Sequence, residues 1–439
     1  MEDRSAEDSV LSQCKIAVIG AGYVGIATVA VLVTVGYEVI CAEIDRERLR
    51  LLRSGVSPIA EPGVEDVIAT GMTNGRLTFV DSGAVAVREA DVVFLCVPTP
   101  KGSEGAADLS YIETAVDNII SNLKSGSIVV IKSTVPVGTA RYVQSIIGRS
   151  DVAVVSNPEF LREGRALADG LAPDRVIIGA RHIEDARRIA KIFGFAEAPI
   201  VLTDLETAET IKYAANAFLA TKLSFINAIA GLSEAVGANI DDVVQALGYD
   251  QRIGPMFLSP GPGWGGSCLP KDTEALLSIA RKANFDFPLL ETVIDTNREQ
   301  MNHIVDKVEA AVGDLAGKTI ALWGLTFKAF TGDLRDSPAI TIARGLEARG
   351  AILRAYDPTV EAHSSDSDLV GIETCVDASQ ACLGAHALVV LTEWPEFREV
   401  DFVSIRDLLL QRNIIDARNL LDAEKIRSYG FTYVGVGRH

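Results

Sequence analysis

Cysteine is scarce in this 439-residue chain, and the six present show no pairing. Cys14, Cys41, Cys96, Cys268, Cys375 and Cys382 follow neither a disulfide framework nor a zinc-ligand spacing, so no metal site is expected and the compartment is a reducing one, the cytoplasm. Positive charge is also short: 41 Lys and Arg stand against 59 Asp and Glu, a net charge of −18. That balance speaks against nucleic acid or an anionic membrane surface as partner, and makes each cation placed to meet an anionic ligand informative. There is no low-complexity tract or internal repeat. One nearly uncharged stretch, Ile16 to Ala42, has the length of a membrane span, but glycines interrupt it. The leader before it, Met1 to Asp8, is acidic, which is wrong for a signal peptide. A chain of this length exceeds one core and calls for two or three domains.

The first ordered pattern begins at Lys15. Lys15 to Ile19 is a short apolar run of the kind that forms a buried parallel strand. It leads into Gly20-Ala21-Gly22-Tyr23-Val24-Gly25, an apolar helix-length segment to about Val35, and a second strand-like run, Tyr37 to Ala42, that ends at Glu43. Strand, G-x-G-x-x-G, helix, strand and acid is the order of a dinucleotide site. The glycines permit the tight turn, the approach of a pyrophosphate and close helix packing, while the helix N-terminus attracts the phosphates. Glu43, eighteen positions after Gly25, is placed to hold ribose hydroxyls and to repel a 2′-phosphate, which favours NAD over NADP. Asp45 is the alternative carboxylate, or a charge at a helix start.

Further strands end in polar loops. Asp91–Val97 runs into Pro98-Thr99-Pro100, Ser127–Lys132 into Ser133-Thr134, and Val152–Val155 into Asn157-Pro158-Glu159-Phe160-Leu161-Arg162-Glu163-Gly164. Open α/β sheets bind ligands at such carboxyl ends, so Thr134, Glu159 and Glu163 are site candidates, with loop capping as the alternative.

From about Leu205 to Met301 strand signals give way to helical spacing. Glu206 to Ala235 reads as one long, mostly apolar helix, buried between domains or in a subunit interface. Lys212 and Asn216, four apart, share a face of it. They are either a snorkelling lysine with a capping amide, or a pair that stabilises an alkoxide. After Arg252 comes Gly261-Pro262-Gly263-Trp264-Gly265-Gly266-Ser267-Cys268-Leu269-Pro270-Lys271-Asp272, with Pro270 placed as the first residue of a helix. A thiol just ahead of a helix N-terminus, with a lysine nearby, is favoured as thiolate. On this loop alone, nucleophile and buried bystander stand level.

A second βαβ pattern starts at Lys318–Gly324, continues through a helix over Pro338–Gly350 and a strand over Ala351–Tyr356, and adds strand-to-loop junctions at Ala387–Thr392 and Asn413–Arg418. Its first turn lacks the glycines and offers Lys328 and Arg335 instead, with Arg418 on another strand end. These cations suit a diphosphate.

In combination, Gly20–Gly25, Gly55–Gly63, Asn157–Gly164, Lys212 with Asn216, Gly263–Asp272 and Phe327–Pro338 resemble the UDP-glucose/GDP-mannose dehydrogenase family from Lys15 to about Val436. The resemblance implies an α/β chain of two Rossmann-like domains joined by a central helical region with one long helix. Residues 1–204 would bind NAD, 205–302 would dimerise and carry part of the active site, and 303–439 would bind a UDP-sugar. The activity implied is oxidation of a nucleotide sugar's C6 alcohol to the acid with two NAD. Cys268 would add to the aldehyde as a thiohemiacetal, then carry a thioester that water hydrolyses.

Carried over, Lys212 and Asn216 stabilise oxyanions, Asp272 and Thr134 hold water, and Glu159 serves as acid/base. Gly20, Gly22, Tyr23, Val24, Gly25, Glu43, Pro98, Thr99, Thr134 and Glu163 bind the cofactor. Glu159, Phe160, Leu161, Lys212, Asn216, Gly265, Lys328, Arg335 and Arg418 bind the substrate, joined by Arg252 from the partner subunit of a homodimer. None of the five histidines lies in these motifs. Trp264 stands where many relatives have Phe or Tyr, and Ala168–Ala172 lacks the usual aromatic. The Asn-Pro-Glu-Phe-Leu run is similar to the UDP-glucose and GDP-mannose branches, and the base (UDP, GDP or TDP) stays open. A two-electron 3-hydroxyacid-type dehydrogenase shares the first domain and the Lys–Asn pair, but needs neither Cys268 nor a second nucleotide domain. A sensor without catalysis would not need Cys268, Lys212, Asn216 and Asp272 together.

Overall fold

Short apolar strands alternating with helices build two separate sheets in the computed structural model, which describes residues 14–102, 105 and 107–438. The acidic leader lies outside the described residues. Two compact units result. One runs to Ala215 and includes Arg281–Ala283; the other comprises Asn216–Ala280 and the chain from Asn284 onward.

In the first unit the strands are β1 (Lys15–Ile19), β2 (Glu38–Ala42), β3 (Leu77–Val80), β4 (Val92–Leu95), β5 (Ile128–Ile131), β6 (Ala153–Ser156), β7 (Val176–Ala180) and β8 (Ile200–Thr203). Their order is β3-β2-β1-β4-β5-β6-β7-β8, parallel except for the antiparallel β6–β7 pair. β4 and β5 consist of Val, Phe, Leu and Ile alone and are wholly buried, as strands covered by helices on both faces must be. In the second unit β9 (Thr319–Trp323), β10 (Ile352–Tyr356), β11 (Ile372–Thr374), β12 (Ala387–Val390), β13 (Asn413–Asp416) and β14 (Thr432–Val434) form an all-parallel sheet of order β11-β10-β9-β12-β13-β14. Both orders place β1 and β9 centrally with a reversal beside them, the point at which such sheets bind ligands.

Five strands were not anticipated: β3, β7, β8, β11 and β14. Four of them are sheet edges, where one neighbour is missing and the apolar run shortens; β8 is only partly buried along its length. The anticipated strands and helices fall where the apolar runs put them, with ends shifted by one or two residues. The helix at Tyr23–Val35 is capped by Gly22 and closed by left-handed Gly36. The cysteine-loop helix begins at Leu269, so Pro270 is its second residue.

The long helix spans Leu205–Val236, and the unit boundary falls within it. By length and composition it could cross a bilayer. It carries Glu206, Glu209, Lys212, Lys222 and Glu234, however, and Ala217 and Ala220 pack in a core with Trp264, Leu277, Leu290, Val293 and Ile294. Phe218, Phe225, Leu232 and Val236 each leave more than half their surface exposed.

The glycine turn shows why Gly25 is glycine. A Cβ there would stand 1.9 Å from the Gly20 carbonyl oxygen and 3.3 Å from Cys96 Cβ, whereas at Gly22 it would meet nothing within 4 Å. Gly25→Ala should therefore destabilise the first unit by about 1–3 kcal/mol, the cost of overpacking, and Gly22→Ala should leave stability unchanged. Urea unfolding of the two variants against wild type checks both.

Candidate active site

Two carboxylates, one in each unit, are buried beside a polar residue of the long helix, and each is the nucleus of a candidate cluster. In the first unit β6 delivers Asn157-Pro158-Glu159. Glu159 Oε1 accepts from Lys212 Nζ at 3.1 Å and Oε2 from the Leu161 backbone N–H at 2.6 Å. Both side chains are more than nine-tenths buried. The Phe160 ring lies 5.1 Å from Lys212 Nζ and is covered on Arg175 at 3.7 Å. Burial raises the Glu159 pKa, but the Lys212 charge, the Leu161 N–H and the nearby Lys132 outweigh it and hold the carboxyl below its ordinary value. Glu159 is thus an ionised acceptor.

The second cluster surrounds Asp272, which is 1% exposed. Its Oδ2 accepts from Asn216 Nδ2 at 2.6 Å and its Oδ1 from Lys271 Nζ at 2.5 Å. Cys268, one turn earlier, immediately precedes the helix Leu269–Lys282, and its carbonyl accepts the Asp272 N–H at 2.9 Å. Among the described residues its thiol is the exposed one; the other five cysteines are buried or half-buried. Burial pushes the Cys96 thiol up to about 12. The loop before Cys268 is held from below: Trp264 N–H donates to Asn297, its indole N–H to Ser224, and Gly261 N–H to Asn227. Trp264 therefore has a partner for the polar atom that a Phe lacks. Gly265 has no room for a side chain, since a Cβ would lie 2.0 Å from the Asp336 carbonyl oxygen.

The cofactor candidates gather at the carboxyl ends of β1, β4, β5 and β6. Thr99 Oγ1, beside Pro98, donates to the Thr134 carbonyl at 2.8 Å, joining those two loops. Gly22 presents open space, as a pyrophosphate cradle requires, and the Gly20–Gly25 closure leaves Tyr23 and Val24 to begin the helix. Glu43 is drawn inward: it accepts from Ala21 N–H at 3.0 Å, Asp45 N–H at 2.8 Å and Arg48 at 3.1 Å. Asp45 caps the next helix through Arg48 N–H. Glu163 is half-buried in the loop after β6.

In the second unit Arg418 donates to the carbonyls of Leu391 and Phe327, both at 2.8 Å, which brings the loops after β9, β12 and β13 together. Lys328 lies over the Phe327 ring at 5.4 Å and Arg335 pairs with Asp333 at 2.7 Å. Arg252 is exposed and held by Asp250 at 2.6 Å in its own turn.

Four residues of consequence were not foreseen. Lys132 Nζ donates to Asn157 at 2.9 Å, and burial pushes it down to about 8. Glu209, one turn before Lys212, accepts from the N–H groups of Gly138 and Ala140 at 2.6 and 2.7 Å; burial pushes it up to about 7 against those bonds. Asp169 clamps Arg162, and Glu61 holds the same loop. Glu209 carried a usable signal, an acid on an apolar helix three positions before Lys212. Glu61 and Lys132 show themselves only through partners distant in sequence, and Asp169 only through Arg162 seven positions away across a loop, where no helix or strand period applies.

A glycine turn with open space at Gly22, a second nucleotide-type sheet with cations at its strand ends, and an exposed thiol heading a helix fit the class that the family match shows, an NAD-dependent oxidoreductase of nucleotide sugars. Domain models of the UDP-glucose/GDP-mannose dehydrogenase family match residues 14–196 (NAD binding domain), 206–299 (central domain) and 321–423 (UDP binding domain), and the chain belongs to that family. It is 44% identical over 429 residues to a UDP-glucose 6-dehydrogenase of Bacillus subtilis, covering 97% of this chain and 93% of that one. Identity to the UDP-glucose 6-dehydrogenase of Rhizobium meliloti is 43% over 436 residues, 97% and 99% of the two chains. Among solved structures, a UDP-glucose dehydrogenase from Pyrobaculum islandicum superposes with a TM-score of 0.88 at 32% identity, covering 98% and 99%.

Removing Lys212 should invert the behaviour of Glu159. In wild type the lowered pKa contributes stability that is present above the unfolded value near 4.3 and lost as pH falls through the lower folded value. In Lys212→Met the buried carboxyl has lost that partner, its pKa rises above the unfolded value, and the deficit grows with pH. Thermal melts should show a Tm deficit that is largest at pH 8 and shrinks toward pH 5, with a loss on the order of 3–5 kcal/mol at the upper end.

Proposed function

We propose that this protein oxidises UDP-glucose at C6 to UDP-glucuronate with two NAD, using Cys268 as the covalent nucleophile. The observation that carries the reading is the exposed thiol at the head of a helix, one turn from an aspartate buried under Asn216 and Lys271. The names of the relatives at 43–44% identity support the substrate. When bound, NAD supplies a hydride acceptor for each oxidation. The residues that would hold it are the Gly20–Gly25 turn, Glu43, Pro98, Thr99, Thr134 and Glu163.

The first oxidation turns the C6 alcohol into an aldehyde, and Glu159, held ionised, accepts the hydroxyl proton while Lys212 balances the alkoxide. Cys268 Sγ then bonds to C6 and the aldehyde oxygen takes a proton, giving a thiohemiacetal. That adduct bears a C6 hydrogen that can leave as hydride, which the bare aldehyde cannot offer so readily. Its oxidation leaves a thioester on Cys268. Water, held by Asp272 and Thr134, adds to the carbonyl, and the C–S bond breaks to release the acid and the thiol. Asn216 steadies the oxyanion at the addition steps. Phe160, Leu161 and Gly265 are assigned to contacts with the sugar, and Lys328, Arg335 and Arg418 to the diphosphate and uridine.

We also assign a homodimer. Phe218, Phe225 and Leu232 recur every seven residues on the long helix and remain exposed, a face that a second copy would cover, and Arg252 would reach the partner's sugar. Six free cysteines suit the reducing cytoplasm.

Wild type should form two NADH per UDP-glucose consumed, and Cys268→Ser should turn over slower by roughly 10³-fold or more. One NADH per sugar in both would indicate two-electron chemistry, and activity only with TDP-glucose or GDP-mannose would reassign the substrate.

A further inference from the structure

The motif Gly55-Val56-Ser57-Pro58-Ile59-Ala60-Glu61-Pro62-Gly63 contributes no residue to the chemistry above, yet it buries a carboxylate, Glu61, at 8% exposure. Three donors converge on it. Glu61 Oε1 accepts from the Tyr23 hydroxyl and from the Gly164 backbone N–H, and Oε2 accepts from the Ala166 N–H at 2.9 Å. Tyr23 is the first residue of the helix that follows the glycine turn. Gly164 follows Glu163 and sits in the left-handed region at φ 83, and Ala166 opens the next helix. One carboxylate therefore fastens the cofactor turn to the loop that carries Glu159, Phe160, Leu161 and Glu163.

The other side of that loop has little freedom. Asp169 takes the Arg162 side chain at 2.6 and 2.8 Å and its backbone N–H at 3.0 Å. Glu163 sits between the two clamps. Burial, and then the bond to Glu61, push the Tyr23 hydroxyl pKa far up, so it stays a donor at any physiological pH. Glu61 thus links the cofactor turn to the sugar loop through Gly164 by a route that does not pass through the sheet.

We propose that Glu61 is a positioning residue that couples the two binding events, so that NAD and the nucleotide sugar each tighten the binding of the other. The inference rests on the substrate and cofactor assigned above. Such coupling is reciprocal: each ligand must change the affinity for the other by the same factor.

The test uses NADH with UDP-glucose, a pair that cannot react because the reduced cofactor accepts no hydride. Calorimetry gives the NADH affinity with and without saturating UDP-glucose, and the UDP-glucose affinity with and without NADH. Wild type should show a coupling factor on the order of tenfold in both directions. Glu61→Gln should bring it close to one. Tyr23→Phe, which removes the link while leaving the carboxylate its two backbone donors, should do the same, and the double variant should add nothing further. A merely structural Glu61 lowers Tm and weakens each binary affinity but preserves the ratio, and that result overturns the proposal. A wild-type factor of one, with both ligands bound, overturns the coupling alone. Wild type that binds NADH but not UDP-glucose overturns the substrate assignment and the coupling with it.

Discussion

An ammonium group taken out of water needs a counter-charge, and Lys212 finds its counter-charge in Glu159. The course of Glu159, Phe160 and Leu161 after β6 is tied to that pair. Glu159 must reach the long helix, so the Asn-Pro-Glu segment leaves the strand toward it. The Leu161 N–H turns back to the second carboxylate oxygen. Phe160 fills the space between Lys212 and Arg175 with its ring. Replacing either charge leaves the other stranded, which makes the pair a constraint on the loop as well as a chemical resource.

The same device recurs. Glu209 holds the turn after Thr134 to the long helix, Asp272 joins Asn216 to the cysteine helix, and Glu61 and Asp169 pin the loop around Glu163. In the second unit Asp357, at the end of β10, accepts the N–H groups of Leu325 and Thr326 in the turn after β9. Glu43, at the end of β2, does the same for Ala21 after β1. Each Rossmann-like sheet thus uses an acid at the end of one strand to hold the turn after its central neighbour. Part of the acidity behind the −18 net charge is internal scaffolding for loops whose backbone N–H groups would otherwise be buried without acceptors.

Much of the fold was legible along the chain. Strands such as Val92–Leu95 and Ile128–Ile131 are unbroken apolar runs because helices cover both their faces, and the long helix declares itself through thirty residues with few breakers. The edge strands were not legible: three or four residues with one free side carry too little pattern to separate them from loop. Cys268, Lys212 and Asn216 stood out as chemistry-bearing residue types at telling spacings. Glu61 stood in a motif whose purpose no spacing discloses, because its partners lie 38 and 103 positions away.

By itself the sequence determined the two nucleotide-type sheets, the glycine turn and the cysteine loop ahead of a helix, since local periodicity, glycine placement and helix-start chemistry are properties of neighbouring residues. Only the tertiary structure decided which carboxylate each polar residue meets. Lys212 and Asn216, one turn apart, take separate partners, Glu159 and Asp272, 53 and 56 positions away. Hydrogen bonds of that reach depend on how helices and strands stack, and stacking is settled by the burial of the whole apolar surface at once.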